Sequence, residues 1–261
     1  MIMNKHILYL LPLMGLLSFA ACTSEEEPAL SGGMGEIRLS VVDATEVVVD
    51  TKAASDWDVE AFSVSLSQGG TSIFSDRPYG DIAGTSISCV AGDGYQVAVE
   101  SCTEERAESV NNNWGQARME GKETFAVLAG QPTNVAVECR RANASVEVDF
   151  SDFIESLSDY SIEIHATDAP SRVLTFNQSN YKAKTAYFNV DESGRTLAYT
   201  VNLPEPYKPY EGTCTLAPSK DYKLSVNVMG EGTDTTVTLG ITVNDKLLDG
   251  EIPPEKINPY Q

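Results

Sequence analysis

From Gly35 onward, apolar and polar residues alternate with a period of two, and no stretch sustains the 3.6-residue period of an amphipathic helix. This pattern puts successive side chains on opposite faces of an extended chain, so the chain is expected to be all-β. The first expected strands are Glu36–Val42, Glu46–Thr51, Val59–Leu66, Ser86–Val90, Tyr95–Ser101, Glu123–Leu128 and Thr133–Cys139. A second series runs through Ala144–Phe150, Ser161–Ala166, Arg172–Phe176, Thr185–Val190, Leu197–Leu203, Tyr222–Val228 and Thr235–Val243. Gly69-Gly70, Gly92-Asp93-Gly94 and Ala129-Gly130-Gln131-Pro132 punctuate the runs with residues that tolerate or pre-set turn geometry. Many short strands at regular spacing indicate β-sandwiches. Only Glu104–Ser109 and Phe153–Leu157, the latter behind Asp152 with Glu155 three residues on, suggest helical turns.

The two series divide the chain. Two sandwich domains are expected at 35–140 and 141–250, after a leader at 1–21 and an acidic tether at 22–34, with a Pro-rich tail at 251–261. Gly94-Tyr95-Gln96-Val97-Ala98-Val99 echoes Asp221-Tyr222-Lys223-Leu224-Ser225-Val226, a weak sign of duplication. Cys139-Arg140-Arg141-Ala142-Asn143 joins the halves without a Gly/Ser linker and implies a restricted hinge.

The leader itself carries an address. Lys5 and His6 precede the apolar run Ile7–Ala21, shorter than the ~20 residues of a spanning helix, so it reads as an export signal. Phe19-Ala20-Ala21-Cys22 resembles a bacterial lipobox, with Phe where Leu is usual, and makes Cys22 the site of lipidation. Cleavage after Ala20 by an ordinary signal peptidase is the alternative. Several acyl chains on Cys22 would hold the mature chain stably on a membrane, which one chain does only marginally. Glu25, Glu26 and Glu27 follow directly.

Charge excludes one class of partner. With 38 acidic against 18 basic side chains the chain carries a net charge of −20, which repels phosphate backbones and makes nucleic-acid binding improbable. Of the four cysteines beyond Cys22, strand parity points Cys102 to a polar face and places Cys89 and Cys139 on apolar ones. Cys89–Cys139 is the most plausible pair if any bridge exists, and buried free thiols are the preferred reading.

Catalytic chemistry has little to build on. The only histidine of the mature chain, His165, shares a strand face with Ser161 and Glu163 and reads as a solvent-facing residue. There is no second His or CxxC for zinc, no Gly-x-Ser-x-Gly turn and no phosphate loop, so no enzyme, metal or cofactor is expected. Acidic loops such as Asp149, Ser151 and Asp152, or Glu231 and Asp234, read as caps and turns more than as calcium ligands. Trp114 in Asn111-Asn112-Asn113-Trp114-Gly115, and Tyr207 and Tyr210 in Pro204-Glu205-Pro206-Tyr207-Lys208-Pro209-Tyr210, are candidate glycan or partner contacts.

Taken together, the lipobox, the Glu cluster, Thr51-Lys52-Ala53-Ala54, the Gly-Tyr strand and the Val-Glu-Cys-Arg-Arg-Ala-Asn-Ala-Ser-Val passage resemble the fimbrillin-like surface lipoproteins of Bacteroidales, including uncharacterised relatives of the fimbrial subunits. The resemblance implies two transthyretin-like, immunoglobulin-like Greek-key sandwiches on an outer membrane, and contact with fimbrial subunits or host surfaces. It implies cell adhesion or pilus assembly, as an accessory or tip subunit. It also implies a maturation cut after a basic residue, Lys52 or less well Arg38, that removes the strand Glu36–Val42 and opens a groove for another subunit's strand. Asp234-Thr235-Thr236 matches an O-glycosylation pattern of such exported proteins, at Thr235. Pro253, Pro254 and Pro259 make the tail a poor donor strand. The alternative function is a glycan-binding lipoprotein accessory to polysaccharide uptake. Gathering of Trp57, Trp114, Tyr207 and Tyr210 on one exposed face would favour it.

Overall fold

The structure, a computed structural model, describes residues 33–43, 57–205, 208–229, 236–244 and 250–257. The strand expected at Glu46–Thr51, and Cys22, Lys52, Tyr207 and Thr235, lie outside the described residues. Strand accounts for 54% and helix for 8%, so the all-β expectation holds.

The first set of strands is β1 (Met34–Asp43), β2 (Ser63–Gln68), β3 (Thr71–Pro78), β4 (Ile87–Val90), β5 (Gly92–Glu100), β6 (Met119–Val127) and β7 (Pro132–Arg141). They form one sheet in the order β3-β2-β5-β6-β7-β1-β4. β6 and β7 pair only at Met119–Arg141 and Glu120–Arg140. At this narrow joint the sheet curls, so that Val64, Leu66, Tyr95, Val97 and Val99 on one side meet Ile37, Val135 and Val137 on the other in one core.

The second set is β8 (Ala144–Phe150), β9 (Ser161–Ala166), β10 (Leu174–Asn177), β11 (Ala186–Phe188), β12 (Arg195–Asn202), β13 (Tyr210–Leu216), β14 (Asp221–Met229), β15 (Thr236–Asn244) and β16 (Gly250–Ile257). They make two sheets, β10-β9-β12-β13 and β11-β8-β14-β15-β16. Both contribute to a second core, which includes Ile162, Phe176 and Leu197 from one sheet and Val146, Phe188 and Leu224 from the other.

The strand orders of the two sets repeat. β3-β2-β5-β6 corresponds to β10-β9-β12-β13, and β7-β1-β4 to β14-β8-β11. The match extends to direction: β1 runs parallel to β7 and antiparallel to β4, as β8 does to β14 and β11. The sequence echo pairs the wrong strands. Gly94–Val99 lies on β5 and Asp221–Val226 on β14, whereas β14 corresponds to β7. Alternating strands look alike wherever they sit, so similarity between two of them carries no position.

Other differences are local. The strand expected from Val59 begins at Ser63, because Val59–Ala61 forms a 3-10 turn closed by the Phe62 amide on the Val59 carbonyl. β3 and β13 were not expected: β3 buries only Phe74 of its eight residues, and β13 follows a proline-rich sequence. The expected tail forms edge strand β16. Its register on β15 slips between Leu239–Glu255 and Ile241–Ile252, so Pro253 and Pro254 occupy a bulge where no ladder N–H is required. Cys102 is buried rather than on a polar face, because β5 ends at Glu100 and parity ends with it. The two helices lie where expected, α1 at Glu104–Ser109, capped by Thr103 accepting from the Arg106 amide, and α2 at Asp152–Glu155.

Candidate functional site: the slot that the first strand fills

β1 has the alternation of a strand with one buried face. Ile37 and Leu39 are buried while Glu36, Arg38 and Ser40 are exposed, with Val41 half-buried. One flank of β1 pairs antiparallel with β4 over Met34–Ile37, and the other pairs parallel with β7 over Glu36–Asp43. β1 therefore lies inside the sheet for its first half and thereafter, among the described residues, has only β7 beside it. The Val41 amide donates to the Tyr79 hydroxyl at 3.4 Å.

The start of β1 is tightly seated. The Ala91 amide donates to the Gly33 carbonyl at 2.7 Å, and the Gly130 amide to the Met34 carbonyl at 2.9 Å. A Cβ on Gly35 would lie 2.3 Å from the Leu128 carbonyl oxygen, so only glycine lets the strand approach the β6–β7 turn this closely. Without β1, the ladder edges of β4 and β7 and the apolar side chains of the first core would be left uncovered.

Arg38 sits within this ladder, opposite Asn134 of β7. Its guanidinium donates to Ser86 Oγ at 3.3 Å and lies 3.9 Å from Glu36. Its side chain is exposed, but its backbone is held in the sheet, a poor presentation for a protease. Cys89, Cys102, Cys139 and Cys214 are buried thiols outside any disulfide. Cys89 stands opposite Gly35 and Cys139 opposite Asp43, eight residues apart along β1. At ~3.3 Å per residue that is about 26 Å, far beyond the ~7 Å a disulfide allows between Cα atoms, so the candidate bridge does not form and the preferred reading of buried thiols holds. Parity assigned both thiols correctly to the buried face, but it cannot fix position along a strand.

Among the described residues, the candidate aromatics Trp57, Trp114 and Tyr210 do not gather on one face. Trp57 packs edge-on against Phe62 in the first core, with ring centroids 6.2 Å apart. Trp114 packs edge-on against Phe176 of the second core at 4.8 Å, and Tyr210 lies 6.2 Å from Tyr199 of that core. His165 is half-buried on β9 opposite Ala198, on the face of Ser161 and Glu163. Among the described residues no group of three or more His, Cys, Asp or Glu is placed to hold a metal ion.

A polar joint between the two strand sets was not foreseen. The Asn143 side chain, fully buried, accepts from the Arg118 amide at 3.1 Å and donates to the Gln116 carbonyl at 2.8 Å. Glu108 on α1 reaches across to pair with both Arg172 and Arg195, and Arg195 also holds Asp168. Arg172 donates to the carbonyls of Asn113 and Tyr187, and the Tyr187 amide donates to the Trp114 carbonyl at 2.9 Å. Burial lowers the Arg172 pKa although Glu108 opposes the shift. For Arg195, burial acts downward, but Asp168 and Glu108 together hold the pKa above its ordinary value. The available signal in the sequence was scarcity: in so acidic a chain each arginine has carboxylates competing for it.

Several solved structures are similar in part. The fimbrial anchor protein Mfa2 from Porphyromonas gingivalis aligns at 12% identity and TM-score 0.40, over 83% of this chain and 98% of that one. A candidate adhesin from Bacteroides ovatus aligns at 10% and 0.46, over 84% and 95%. A candidate polysaccharide-binding protein from Bacteroides thetaiotaomicron aligns at 11% and 0.46, over 82% and 96%. No curated protein matches the chain. A family model matches residues 33–258, and the chain accordingly belongs to the family described as Domain of unknown function (DUF4493).

Proposed function

We propose that this chain is a surface lipoprotein, anchored through Cys22, that works by protein–protein contact in cell adhesion or fimbrial assembly as an accessory or tip subunit. Its two strand sets are two Greek-key sandwich domains, 35–140 and 141–250, of transthyretin-like and immunoglobulin-like kind. The observation that carries the reading is β1. It is the first described strand, its polar and apolar residues alternate with the sheet, and its place between β4 and β7 is a ready site for a strand of the same pattern. A cut behind Lys52 releases β1 and leaves that ladder and its apolar pockets for another subunit, which is β-augmentation. The described candidate aromatic residues argue against one shared flat sugar platform, since Trp57 packs against the first core and Trp114 and Tyr210 against the second.

Mass spectrometry of the protein recovered from native cell surfaces tests this. A new terminus at Ala53 supports strand removal. An acylated Cys22 terminus as the sole species overturns strand removal and leaves a permanently anchored contact protein. A terminus at Ala21 or Cys22 without lipid overturns the anchor.

A further inference from the structure

The chain from Asn111 to Asn113 forms a left-handed turn, with φ of 57°, 59° and 68° at three successive residues. Left-handed backbone costs an ordinary L-residue roughly 1–2 kcal/mol, and asparagine tolerates it best after glycine. Part of the turn is explained by the joint. Asn113 presents its carbonyl to Arg172, and the Asn111 side chain donates to the Gly115 carbonyl at 2.8 Å. Asn112, at the apex, is exposed, and its side chain makes no hydrogen bond among the described residues.

Beside this turn lies an open cavity of about 430 Å³, lined by Asn111, Asn112, Trp114, Lys184, Thr185 and Tyr187 among others. Its volume falls in the range of small-molecule sites. Lys184 holds its ammonium 5.5 Å from the Trp114 ring centroid and meets no carboxylate among the described residues. Such a cation is notable in a chain with 38 acids and 18 bases. The Tyr187 hydroxyl has no hydrogen-bond partner among the described residues, and burial raises its pKa, so it remains a protonated donor. The Thr185 hydroxyl donates to Glu147 at 2.9 Å, which leaves its oxygen to accept.

We propose that this cavity binds a carboxylated sugar residue of a glycan. The ammonium of Lys184 meets the sugar carboxylate, a charge-assisted contact about twice as strong as a neutral one. The Asn112 amide, which both donates and accepts, takes neighbouring ring hydroxyls, and Thr185 and Tyr187 supply one further acceptor and one donor. The indole of Trp114 offers apolar area to the sugar's C–H face. A nucleotide fits poorly, because one lysine cannot offset several phosphate charges. An extended peptide fits poorly too, since the Tyr187 amide beside the cavity is already taken by Trp114. The overall charge of −20 opposes an anionic ligand, and Glu147, which accepts from Thr185, stands beside the cavity; charges more than ~8 Å away are largely screened at physiological salt, and Lys184, which meets no carboxylate among the described residues, acts at contact.

The test is a titration of the mature chain with glucuronic acid, with galactose as the neutral comparison. Saturable binding of glucuronic acid that weakens about tenfold or more in Lys184→Met, which removes the charge but keeps an unbranched side chain, and weakens in Asn112→Ala supports the site. Lys223→Met, which removes a lysine paired with Asp149, leaves binding unchanged. Absence of saturable binding, equal binding of galactose, or binding that survives Lys184→Met overturns it. If Lys184→Met does not fold, the unmodified chain still decides: glucuronic acid must shift the indole N–H resonance of Trp114 and not that of Trp57, and any other pattern overturns the proposal.

Discussion

A chain beginning at Ala53, which lacks β1, should lose stability in the first core and regain it when a peptide of residues 34–43 is added. Ile37 and Leu39 are 1% and 7% exposed, and fully burying such side chains contributes about 1.5–3 kcal/mol each. The half-buried Val41 adds less. A loss of about 4 kcal/mol from these side chains should lower the melting transition by roughly 8–16 °C, at about 2–4 °C per kcal/mol for a domain of 150–250 residues, and by more if the first core melts alone. The chain provides its own reporter, since one of its two tryptophans packs on each core. In a Trp114→Phe background, Trp57 fluorescence follows the first core alone. The added peptide should restore the transition in proportion to its concentration, because a ligand that binds only the folded state stabilises it by mass action. A peptide with Asp at the positions of Ile37 and Leu39 should do nothing, whereas one altered at Glu36, Arg38 and Ser40 should act nearly normally. An unchanged Trp57 transition on loss of β1 would refute the reasoning, as would equal rescue by the Asp-bearing peptide.

Glu108→Gln keeps the shape of the joint but removes the carboxylate shared by two arginines, and at 16% side-chain exposure for Glu108 and 13% for Arg172 the pairs are little screened. The expected cost is about 2 kcal/mol, mostly from leaving Arg172 without its countercharge, read as a lower denaturant midpoint of Trp114 fluorescence in a Trp57→Phe background. Alkaline pH should destabilise the second core through Cys214, whose thiol pKa burial raises from 9.0 to about 11. The folded state then holds the proton more tightly, so this stabilisation is complete below pH ~9 and lost as pH rises towards about 11, an effect of about 2–3 kcal/mol that Cys214→Ala should abolish.

The sequence made the buried face of each strand legible, and left its neighbours largely hidden. In Ser161–Ala166 the alternation assigns Ile162, Ile164 and Ala166 inward and His165 outward, and the structure agrees. The same parity puts Cys89 and Cys139 inward correctly and still proposes an impossible bridge, because side-chain period carries no register. β3 was missed since its solvent-facing residues lack alternation, and β16 because prolines forbid a regular ladder but not a bulge. At the candidate slot, the inward pattern of Glu36–Val42 was readable, while its parallel pairing with β7 depends on a partner nearly a hundred residues away. The joint was least readable of all. Glu108 meets Arg195 across 87 positions, and no local periodicity encodes a bond of that span.

The repeated strand order gives the joint its meaning. β11 corresponds to β4, and each is an edge strand of its sheet. The edge of β11 is engaged by the first set through the Trp114 carbonyl and the Tyr187 amide, and no described strand lies along the outer edge of β4. The two strand sets thus meet through a loop of the first and a sheet edge of the second. An apolar contact there would hold the halves together over a range of angles, because hydrophobic attraction is non-directional. This contact instead uses a buried Asn143, a carboxylate shared by two arginines and a guanidinium fork on backbone carbonyls, each of which is satisfied in a narrow geometry. Buried ion pairs add little net stability but are costly to misalign. The joint therefore acts mainly on the orientation of one strand set against the other.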